Sequence, residues 1–573
     1  MFQHWSLAVC VASTVLSAFI PGVSAARAIF ADPPSPRVVS LETRTDKYDY
    51  IIAGAGAAGI IVAERLAEAG SKVLLIERGN ASLWLSGGNR LMPWNDTVTI
   101  FDVPSFANSF PDLSDQSEFC SDTPWTPGWS AVAGCILGGG TAVNGVIFIR
   151  PPKGDFGTWP EGWTWDEGIS DAAERLYARN PGTEYPSMNG KLYDQTVWNV
   201  FSELLEENNY TFTNSIEDPD AKYMVYSYCP YSIAGGERDG PVRSYLPLAE
   251  GYDNFELLLR TYVVRAVREN NTVTGVEVEI NGTRSIIEVN EGGSVIFASG
   301  TLGTPRLLWN SGIGGTDMIE IVKNGDTNVT LPEESEWIDL PVGTNFQDHA
   351  GITLVFNATK SPFKYYDPSS LVTNDYNVTD TSFYSHAGSG VLAQGPWRLV
   401  AFTRYVAEID NITRFVEVIP YPSADNQISV YFYLTHGLTS HGILGIASNG
   451  STTYVQEPWL NTAGDREIAA KFIDDILGYI AAEDNLILVN FNSSATGAEI
   501  INSRTSGRHF TGSAKLGQVV DENTKVYGMD NLYIVDASIH PTPPTGNSQA
   551  ITMVVAEHAV KKIIAQSGQK LLQ

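Results

Sequence analysis

Basic residues, histidine and cysteine are all scarce in this chain. Its 573 residues include 36 Lys and Arg against 65 Asp and Glu, 8 His and 4 Cys, which gives a formal net charge of −29 at pH 7. Nucleic acids and anionic membranes attract positively charged proteins, so this balance argues against both as partners. The Cys and His residues show no spacing typical of a metal site, and we expect no metal. The composition suits a soluble protein with a large packed core.

Long apolar runs are also missing, apart from one near the N-terminus. Residues 7–20 are apolar but too few to span a bilayer comfortably, and Val23-Ser24-Ala25 fits a cleavage site of small residues. We therefore predict a signal peptide over residues 1–25 and a secreted, extracellular protein. A membrane anchor is the alternative interpretation of this segment.

The few cysteines leave their pairing open. Cys10 lies in the predicted signal peptide, so Cys120, Cys135 and Cys229 remain, which permits at most one disulfide and leaves one free thiol. A secreted chain with many Asn-x-Ser/Thr sites is expected to be N-glycosylated. These sites are Asn80, Asn95, Asn209, Asn270, Asn281, Asn328, Asn357, Asn377, Asn411, Asn449 and Asn492.

The most informative stretch has the pattern of a βαβ unit. Residues 50–53 form a short apolar run typical of a buried strand, 60–69 repeat apolar residues at helical intervals, and 72–76 predict a second strand that ends at Glu77. Glycines with G-x-G-x-x-G spacing separate the first strand from the helix: Gly54, Gly56 and Gly59.

Each part of this unit suits the binding of a dinucleotide. The first glycine permits the tight turn, the second lets the backbone approach a pyrophosphate, and the third lets the helix pack closely on the strand. The N-terminus of the helix offers free N–H groups to the phosphates, and Glu77 stands where an acid binds the adenosine ribose. An ordinary α/β turn and a surface acid are the alternatives. The motif by itself does not distinguish FAD from NAD.

The rest of the chain adds a second glycine-rich stretch at 133–145 and a region of different composition. Residues 80–129 predict a long surface excursion of lid type. Residues 272–290 predict antiparallel strands, followed by a separate buried strand at 293–300 and a helix over 301–314 with Pro305 near its first turn. Alternating runs predict an antiparallel sheet with flanking helices on the substrate side. Its extent is 353–492, including a strand at 427–434 and a helix at 463–482, and a final helix follows at 551–565.

Together these motifs resemble the glucose-methanol-choline (GMC) family of flavoprotein oxidoreductases, over nearly all of the chain after residue 47. The motifs that carry the resemblance are the βαβ unit, the loop 138–145, the stretch 300–314, the segment 342–349, and the C-terminal pair His509–Ser513 and Asp536–Asn547. Within the family, 133–145 and 544–547 look most similar to the flavodehydrogenase part of fungal cellobiose dehydrogenase.

The resemblance implies FAD as the cofactor and a mixed α/β fold. A Rossmann-like FAD-binding domain would be built from the discontinuous segments 47–165, 225–350 and 500–573. A substrate-binding domain with an antiparallel or mixed sheet and flanking helices would comprise 166–224 and 351–499. Some family members attach FAD covalently through a His in the glycine loop. Val143 occupies that position here, so we expect FAD to be bound non-covalently.

The resemblance also assigns site residues. His509 matches the family's catalytic base, and Asn547 matches the partner that orients the substrate oxygen; histidine suits proton abstraction near neutral pH. His349 is expected to have a structural or cofactor-shell role, and His540 a role in packing or in loop hydrogen bonding. The residues expected to bind the cofactor are Gly54, Ala55, Gly56, Gly59, Glu77, Gly139, Thr141, Asn144, Gly145, Val264, Asp536, Ala537 and Ser548.

These expectations describe a secreted FAD-dependent enzyme that oxidises a primary or secondary alcohol, such as a sugar, an aryl alcohol or a secondary-metabolite alcohol. The electron acceptor would be quinone-like, dye-like or oxygen. A biosynthetic enzyme acting on a secondary metabolite, or a lyase or cyclase that retains FAD without net redox chemistry, is the alternative. The oligomeric state does not follow from the sequence.

Overall fold

A computed structural model describes residues 46–110, 113–123, 133–373 and 375–567. The predicted signal peptide and Cys10 lie outside these residues. The strands, in chain order, are β1 (Tyr48–Ala53), β2 (Val73–Ile76), β3 (Leu91–Met92), β4 (Asn95–Thr99), β5 (Thr211–Phe212), β6 (Val225–Tyr228), β7 (Ile233–Ala234), β8 (Glu237–Arg238), β9 (Phe255–Leu258), β10 (Tyr262–Glu269), β11 (Thr272–Ile280), β12 (Thr283–Phe297), β13 (Ala350–Ala358), β14 (Leu399–Val406), β15 (Thr413–Ala424), β16 (Gln427–Leu434), β17 (Ile443–Ile446), β18 (Thr452–Gln456), β19 (Leu486–Leu488), β20 (Thr505–Ser506) and β21 (Leu532–Ile534).

The α-helices are α1 (Ala57–Glu68), α2 (Gly140–Val143), α3 (Ile169–Arg179), α4 (Thr196–Glu207), α5 (Pro241–Ser244), α6 (Leu246–Ala249), α7 (Gly300–Asn310), α8 (Thr316–Asn324), α9 (Val378–Ala387), α10 (Ala463–Ala482), α11 (Gly497–Ile500) and α12 (Gln549–Ser567). Short 3₁₀ helices span Trp84–Ser86, Pro104–Asn108, Lys153–Phe156, Trp165–Glu167, Glu334–Glu336, Pro368–Val372, Val391–Ala393, Ile501–Ser503 and Ala537–Ile539.

The first sheet has the order β10-β11-β12-β1-β2-β9, with β21 also paired to β12. Strands β1, β2, β9 and β21 run parallel to their neighbours, and β1 and β2 are almost wholly buried. A parallel strand covered on both faces needs a continuous apolar sequence, which is what the run at 50–53 provides. Helices α1 and α12 pack together within the same core.

One strand of this sheet corrects the sequence interpretation. Residues 283–297 form a single 15-residue strand, β12, where the pattern predicts two separate elements. Its first part pairs antiparallel with β11, from Thr283 opposite Ile280 to Glu288 opposite Gly275. Its last part, from Ser294 to Phe297, pairs parallel with β1. The first half of β12 alternates polar and apolar residues, and the last half is continuously apolar, because the two halves have different surroundings. No loop separates them.

The second sheet has the order β19-β13-β16-β15-β14-β6-β5, with β20 paired to β13. Its central strands are antiparallel, and β16 and α10 have the bounds that the sequence predicts. Val416 and Val418 of β15 join the core under α10 and α4, whereas Ile419 belongs to a cluster on the opposite face. The predicted mixed α/β fold class is confirmed.

The predicted domain boundaries stay predictions. Within the range 166–224, helix α3 packs its buried face against α12 in the core of the first sheet. Helix α4, from the same range, packs in the core of the second sheet.

The excursion predicted over 80–129 is wrong for its central part. Residues 91–110 form β3, β4 and a 3₁₀ helix, and the side chains of Phe101, Phe106 and Phe110 are buried. The Asn, Pro and Asp residues between them suggest an exposed loop, but the three aromatic side chains pack against one another and enter the main core.

Helix α7 begins at Gly300, so Pro305 lies in its second turn and not near its first. A proline there has no N–H for the carbonyl of residue 301, one turn earlier. The Ser513 hydroxyl donates to the Thr301 carbonyl at 2.7 Å and replaces the missing bond. The helix tolerates the proline because a side chain distant in sequence donates the hydrogen bond that the Thr301 carbonyl would otherwise lack.

Candidate active site

One cavity of about 460 Å³ contains most of the predicted site residues in its wall. The wall is built from the start of α1, the end of β2, the glycine loop 139–145, the start of α7, and the C-terminal loops. The predicted residues that line it are Gly54, Gly56, Glu77, Gly139, Thr141, Asn144, Gly145, His509, Asp536, Ala537, Asn547 and Ser548.

Three predicted cofactor residues lie behind the wall. The Ala55 N–H donates to Glu77 Oε2 at 3.0 Å, and Gly59 packs against the turn at Gly54. The Val264 carbonyl accepts a hydrogen bond from Asn310 Nδ2 at 2.9 Å, and its neighbour Val263 lines the cavity in its place. A motif locates a strand to within a residue, but the pleat decides which residue faces inward.

The glycines at the start of α1 form a cradle that side chains would close. Gly54 has φ +110°, and a Cβ there would lie 2.5 Å from the Ala298 carbonyl oxygen; one on Gly59 would lie 1.9 Å from the Gly54 oxygen. A Cβ on Gly56 would meet no protein atom within 4 Å, so Gly56 faces open space beside the N-terminus of α1. This arrangement fits a pyrophosphate.

Glu77 is held by backbone N–H groups at the end of β2. Its Oε2 accepts from Ala55 and its Oε1 accepts from Gly79 at 2.8 Å. Burial raises the pKa of this carboxyl, and the backbone hydrogen bonds oppose the rise. Carboxylate oxygens accept more than one hydrogen bond each, so Glu77 keeps capacity for ribose hydroxyls.

Arg238 holds the glycine loop, and the sequence gives no signal of this. The residue is 1% exposed, and its guanidinium donates to the carbonyls of Phe101 (2.9 Å), Thr141 (3.0 Å) and Asn144 (2.9 Å) and to Asn144 Oδ1 (2.8 Å). Asn144 Nδ2 in turn donates to Gln549 Oε1 at 2.8 Å. Burial lowers the pKa of Arg238 to about 9. An isolated arginine in a turn-rich segment has no motif, so only the fold reveals its role.

Asp536 sits at the N-terminus of α7. Its Oδ2 accepts from the Gly300 N–H (2.9 Å) and the Thr304 hydroxyl (2.6 Å), and its Oδ1 accepts from the Ser538 N–H (2.8 Å). A carboxylate at a helix N-terminus is stabilised by the unpaired N–H groups there. Burial raises the pKa of Asp536, and these hydrogen bonds oppose the rise. The glycine cradle, Glu77 and this pocket together fit an extended dinucleotide.

At the other end of the cavity, two histidines and an asparagine form a chain. His509 Nδ1 lies 2.9 Å from His349 Nδ1, and His349 Nε2 lies 3.0 Å from the carbonyl oxygen of Pro544. On its other side, His509 Nε2 lies 3.0 Å from Asn547 Nδ2. His349 is fully buried, whereas His509 and Asn547 form part of the cavity wall.

The Pro544 carbonyl determines where the protons of this chain lie. A carbonyl only accepts, so His349 Nε2 must carry a proton, and in a neutral ring Nδ1 then has none. His509 Nδ1 must therefore donate to His349, which leaves His509 Nε2 unprotonated. Burial lowers the pKa of His509 to about 3 and holds that of His349 well below its usual value, so both rings are neutral. His509 therefore presents an unprotonated Nε2 at the cavity wall, where it accepts a hydrogen bond from Asn547 Nδ2.

Asp348 fixes the backbone that carries His509. Its carboxylate accepts from the N–H groups of His509 (2.7 Å) and Arg508 (3.3 Å) and from the hydroxyl of Ser506 (2.5 Å) and the indole of Trp459 (2.9 Å). Arg508 has φ +62°, a conformation that non-glycine residues rarely adopt. The buried carboxylate compensates for this strain and so fixes the direction of the His509 ring.

Aromatic side chains form the wall beside His509. The ring of Tyr433 lies 5.4 Å from that of His509, and Tyr431 is on the same face of β16. The ring of Trp397, just before β14, lies 5.7 Å from that of Tyr431. Ile419 completes this wall. Sequence patterns could not identify these residues, because the side that faces the cavity depends on how the second sheet meets the first.

The remaining cysteines and histidines also have defined places. Cys120 and Cys135 form a disulfide beside the cavity, and Cys229 is a buried free thiol. Among the described residues, buried His540 has no hydrogen-bond partner and lies 5.3 Å from the ring of Trp159, which favours packing over loop hydrogen bonding. In the described residues, no cluster of three His, Cys, Asp or Glu side chains could hold a metal ion. No helix in that part of the chain is long and apolar enough to cross a membrane.

Comparison with known families agrees with this site. The family model described as GMC oxidoreductase matches residues 48–351, and its C-terminal counterpart matches 446–556. The chain belongs to the GMC oxidoreductase family. The predicted family, the FAD cofactor and the oxidoreductase class are thereby confirmed, and the cavity residues described above fit FAD.

Individual GMC relatives are distant. An oxygen-dependent choline dehydrogenase from Vibrio vulnificus is 27% identical over 90% of this chain and 94% of its own length. Formate oxidase from Aspergillus oryzae superposes with a TM-score of 0.71 at 20% identity, covering 92% of this chain and all of that one. A fungal aryl-alcohol oxidase superposes with a TM-score of 0.66, also at 20% identity, over 92% of this chain and all of that one.

Proposed function

We propose that this GMC oxidoreductase oxidises an alcohol and that His509 is the base that takes the hydroxyl proton. The observation that carries the proposal is the unprotonated Nε2 of His509 at the cavity wall, 3.0 Å from the amide of Asn547. An alcohol oxygen that replaces this hydrogen bond would donate its proton to His509 Nε2 and accept a hydrogen bond from Asn547 Nδ2. FAD, when bound, supplies the acceptor for the hydride that leaves the alcohol carbon. The product is a carbonyl compound, and the proton stays on His509 until it passes to solvent.

The test is anaerobic bleaching of the yellow flavin by alcohols. The wild-type holoenzyme should bleach, whereas His509→Ala should retain FAD and lose at least about 100-fold in reduction rate, the usual range for a general base. His441→Ala is the matched control, because His441 is exposed and outside the cavity wall. Admitting air or a quinone afterwards identifies the acceptor. Equal bleaching by His509→Ala would refute the role of the base.

Within the alcohols, we favour those attached to an aromatic or similarly flat apolar group. The wall beside His509 consists of Trp397, Ile419, Tyr431 and Tyr433, and the Trp397 indole N–H is already donated to the Gly145 carbonyl at 2.8 Å. The polar groups that these side chains add are two tyrosine hydroxyls, whereas a sugar presents several hydroxyls that each need a partner. Values of kcat/KM for benzyl-type alcohols, choline and cellobiose test the preference. A higher value for choline or cellobiose would contradict it.

We also propose that FAD is held without a covalent bond. Val143 lines the cavity where some family members carry a histidine, and its side chain has no nucleophilic atom. Acid precipitation of the holoenzyme should release all of the flavin into the supernatant. Flavin that stays with the pellet would contradict the proposal.

Secretion is a further part of the proposal. It is supported by the apolar segment before residue 25, by the Cys120–Cys135 disulfide, and by the exposure of sites such as Asn209, Asn281 and Asn411. Expression in a eukaryotic host should yield extracellular protein that begins after Ala25 and loses mass on treatment with an N-glycosidase. Intracellular, unmodified protein would contradict it.

A further inference from the structure

The loop 541–547 contacts both His349 and His509, yet it contains no helix or strand. It supplies the Pro544 carbonyl, which orients His349, and the amide of Asn547. Pro541, Pro543 and Pro544 have no N–H, so few backbone hydrogen bonds can hold this loop. Its conformation must therefore be fixed by groups outside it.

Two side chains, one buried and one half-buried, hold the loop on either side of Pro544. The Asp155 carboxylate, 2% exposed, accepts from the Thr545 N–H at 2.8 Å and from the Thr545 hydroxyl. His436, which lies just after β16, donates from Nδ1 to the Pro543 carbonyl at 2.8 Å. Its Nδ1 also lies 3.8 Å from Asp155 Oδ1, so the two anchors are neighbours. Neither lines the cavity, and neither belongs to a motif that the sequence singled out.

We propose that Asp155 and His436 are positioning residues, which hold the Pro544 carbonyl against His349 and thereby keep Nε2 of His509 unprotonated and directed at the substrate. This proposal rests on the proposed function of His509. The physical basis is that a misplacement of about 1 Å, made far from the reacting atoms, can cost on the order of 100-fold in rate. If the Pro544 carbonyl moves away, His349 no longer has to donate from Nε2, and the opposite arrangement of protons becomes accessible.

Threonines in the same loop provide a matched pair of variants. Thr545→Val removes the hydroxyl that donates a hydrogen bond to Asp155. Thr542→Val removes a hydroxyl that has no hydrogen-bond partner in the described structure. We expect Thr545→Val to reduce the rate of anaerobic flavin reduction at saturating alcohol by about 10- to 100-fold, with KM changing less. Thr542→Val should stay within about 2-fold, and Thr545→Ser should restore most of the rate because it keeps the hydroxyl.

The anchors themselves are tested in the same way. Asp155→Asn and His436→Gln should lower the reduction rate per bound FAD, whereas His441→Gln, at an exposed position, should not. In a His349→Ala background, Asp155→Asn should have little further effect, because the route through which it acts is already lost. Equal effects of Asp155→Asn in both backgrounds would overturn the proposed route.

A second measurement does not depend on turnover. In ¹⁵N-histidine NMR of the holoenzyme, wild-type His509 should show a protonated Nδ1 and a bare Nε2, and Thr545→Val should show a second tautomer. If Thr545→Val and Asp155→Asn only lower the melting temperature, with the spectrum and the rate per bound FAD unchanged, both residues are merely structural and the proposal fails. If no alcohol bleaches the wild type, the proposed function fails instead, and the NMR result still decides the positioning role.

Discussion

His509, the proposed base, has surroundings that keep its ring neutral. Burial is the largest cause of its lowered pKa, and the nearby positive charge of Arg508 adds to it. Burial also lowers the pKa of His349. Each ring therefore carries one N–H proton, and the pair has no net charge. A neutral pair matters because only an unprotonated Nε2 can accept the hydroxyl proton.

The pH dependence of the reaction should reflect this pKa. An ordinary histidine, with a pKa of 6.5, would be protonated and inactive as a base below that pH, whereas a pKa of about 3 keeps His509 competent far below it. The rate constant for anaerobic flavin reduction should therefore stay nearly constant from about pH 7 down to about pH 4. Stopped-flow measurement across this range tests the prediction, with circular dichroism to show that the fold persists. A tenfold loss per pH unit below 6.5 would contradict it.

Gly56 allows cofactor binding to be separated from folding. Because a Cβ there meets no protein atom, Gly56→Ala should fold normally but project a methyl group where the pyrophosphate is expected. We expect FAD affinity to fall at least about 10-fold, with the apoprotein melting temperature unchanged. Gly478→Ala, inside α10 and also free of contacts, is the control and should leave FAD affinity unaltered. Unchanged affinity in Gly56→Ala would place the phosphates elsewhere.

At the scale of single elements, α7 shows how a helix with an interior proline is kept intact. The helix presents its N-terminus to Asp536, while the Thr301 carbonyl, left free by Pro305, is satisfied by Ser513. Ser513 follows His509 closely in sequence, so the same segment carries the proposed base and supports a helix that begins at the cavity wall.

Removing the Ser513 hydroxyl should lower the stability of the protein, and a second substitution should restore part of it. Ser513→Ala leaves a buried carbonyl without a partner and should lower the free energy of unfolding by about 1–3 kcal/mol. Adding Pro305→Ala restores an N–H at position 305 that can donate to Thr301, so the double variant should lose less than Ser513→Ala alone. Chemical denaturation of all three proteins measures this. A double variant no more stable than Ser513→Ala would show that the hydroxyl acts in some other way.

At the scale of the whole molecule, a partly exposed strap lines one side of the cavity. We call residues 113–123 the strap. The Cys120–Cys135 disulfide joins it to the glycine-rich stretch 133–145, and Asp122 forms ion pairs with Arg78 (3.0 Å) and Arg306 (2.8 Å), both of which line the cavity. The strap therefore connects parts of the site that are far apart in sequence.

Opening the disulfide should weaken cofactor retention. The bond closes a loop with a sequence separation of 15 residues, for which chain entropy predicts a stabilisation of about 3 kcal/mol. The double variant Cys120→Ser/Cys135→Ser should melt at a lower temperature and release FAD faster, as followed by the rise in free-flavin fluorescence. Cys229→Ala removes a thiol outside the cavity wall and is the control. Release at the wild-type rate would show that the strap does not retain FAD.

The sequence predicted what depends on local pattern. A βαβ unit could be predicted from the apolar run at 50–53, the three glycines and Glu77. Each of these residue types suits one local feature of the unit: a buried strand, a tight turn before the helix, and the end of the second strand. Strand β16 and helix α10 were predictable because a strong period of 2 or 3.6 persists along a whole element. The C-terminal motifs identified His509 and Asn547, since residue type and spacing were preserved there.

Only the tertiary structure decided which of these residues meet. Arg238, His349, Asp155 and His436 act through contacts between segments that are tens to hundreds of residues apart, and no local pattern reports such contacts. The pairing of Cys120 with Cys135, and the merging of two predicted elements into β12, were likewise set by neighbours in space. Local sequence determines the backbone's own conformation, whereas burial, proton position and ion pairing depend on the dense packing of distant segments.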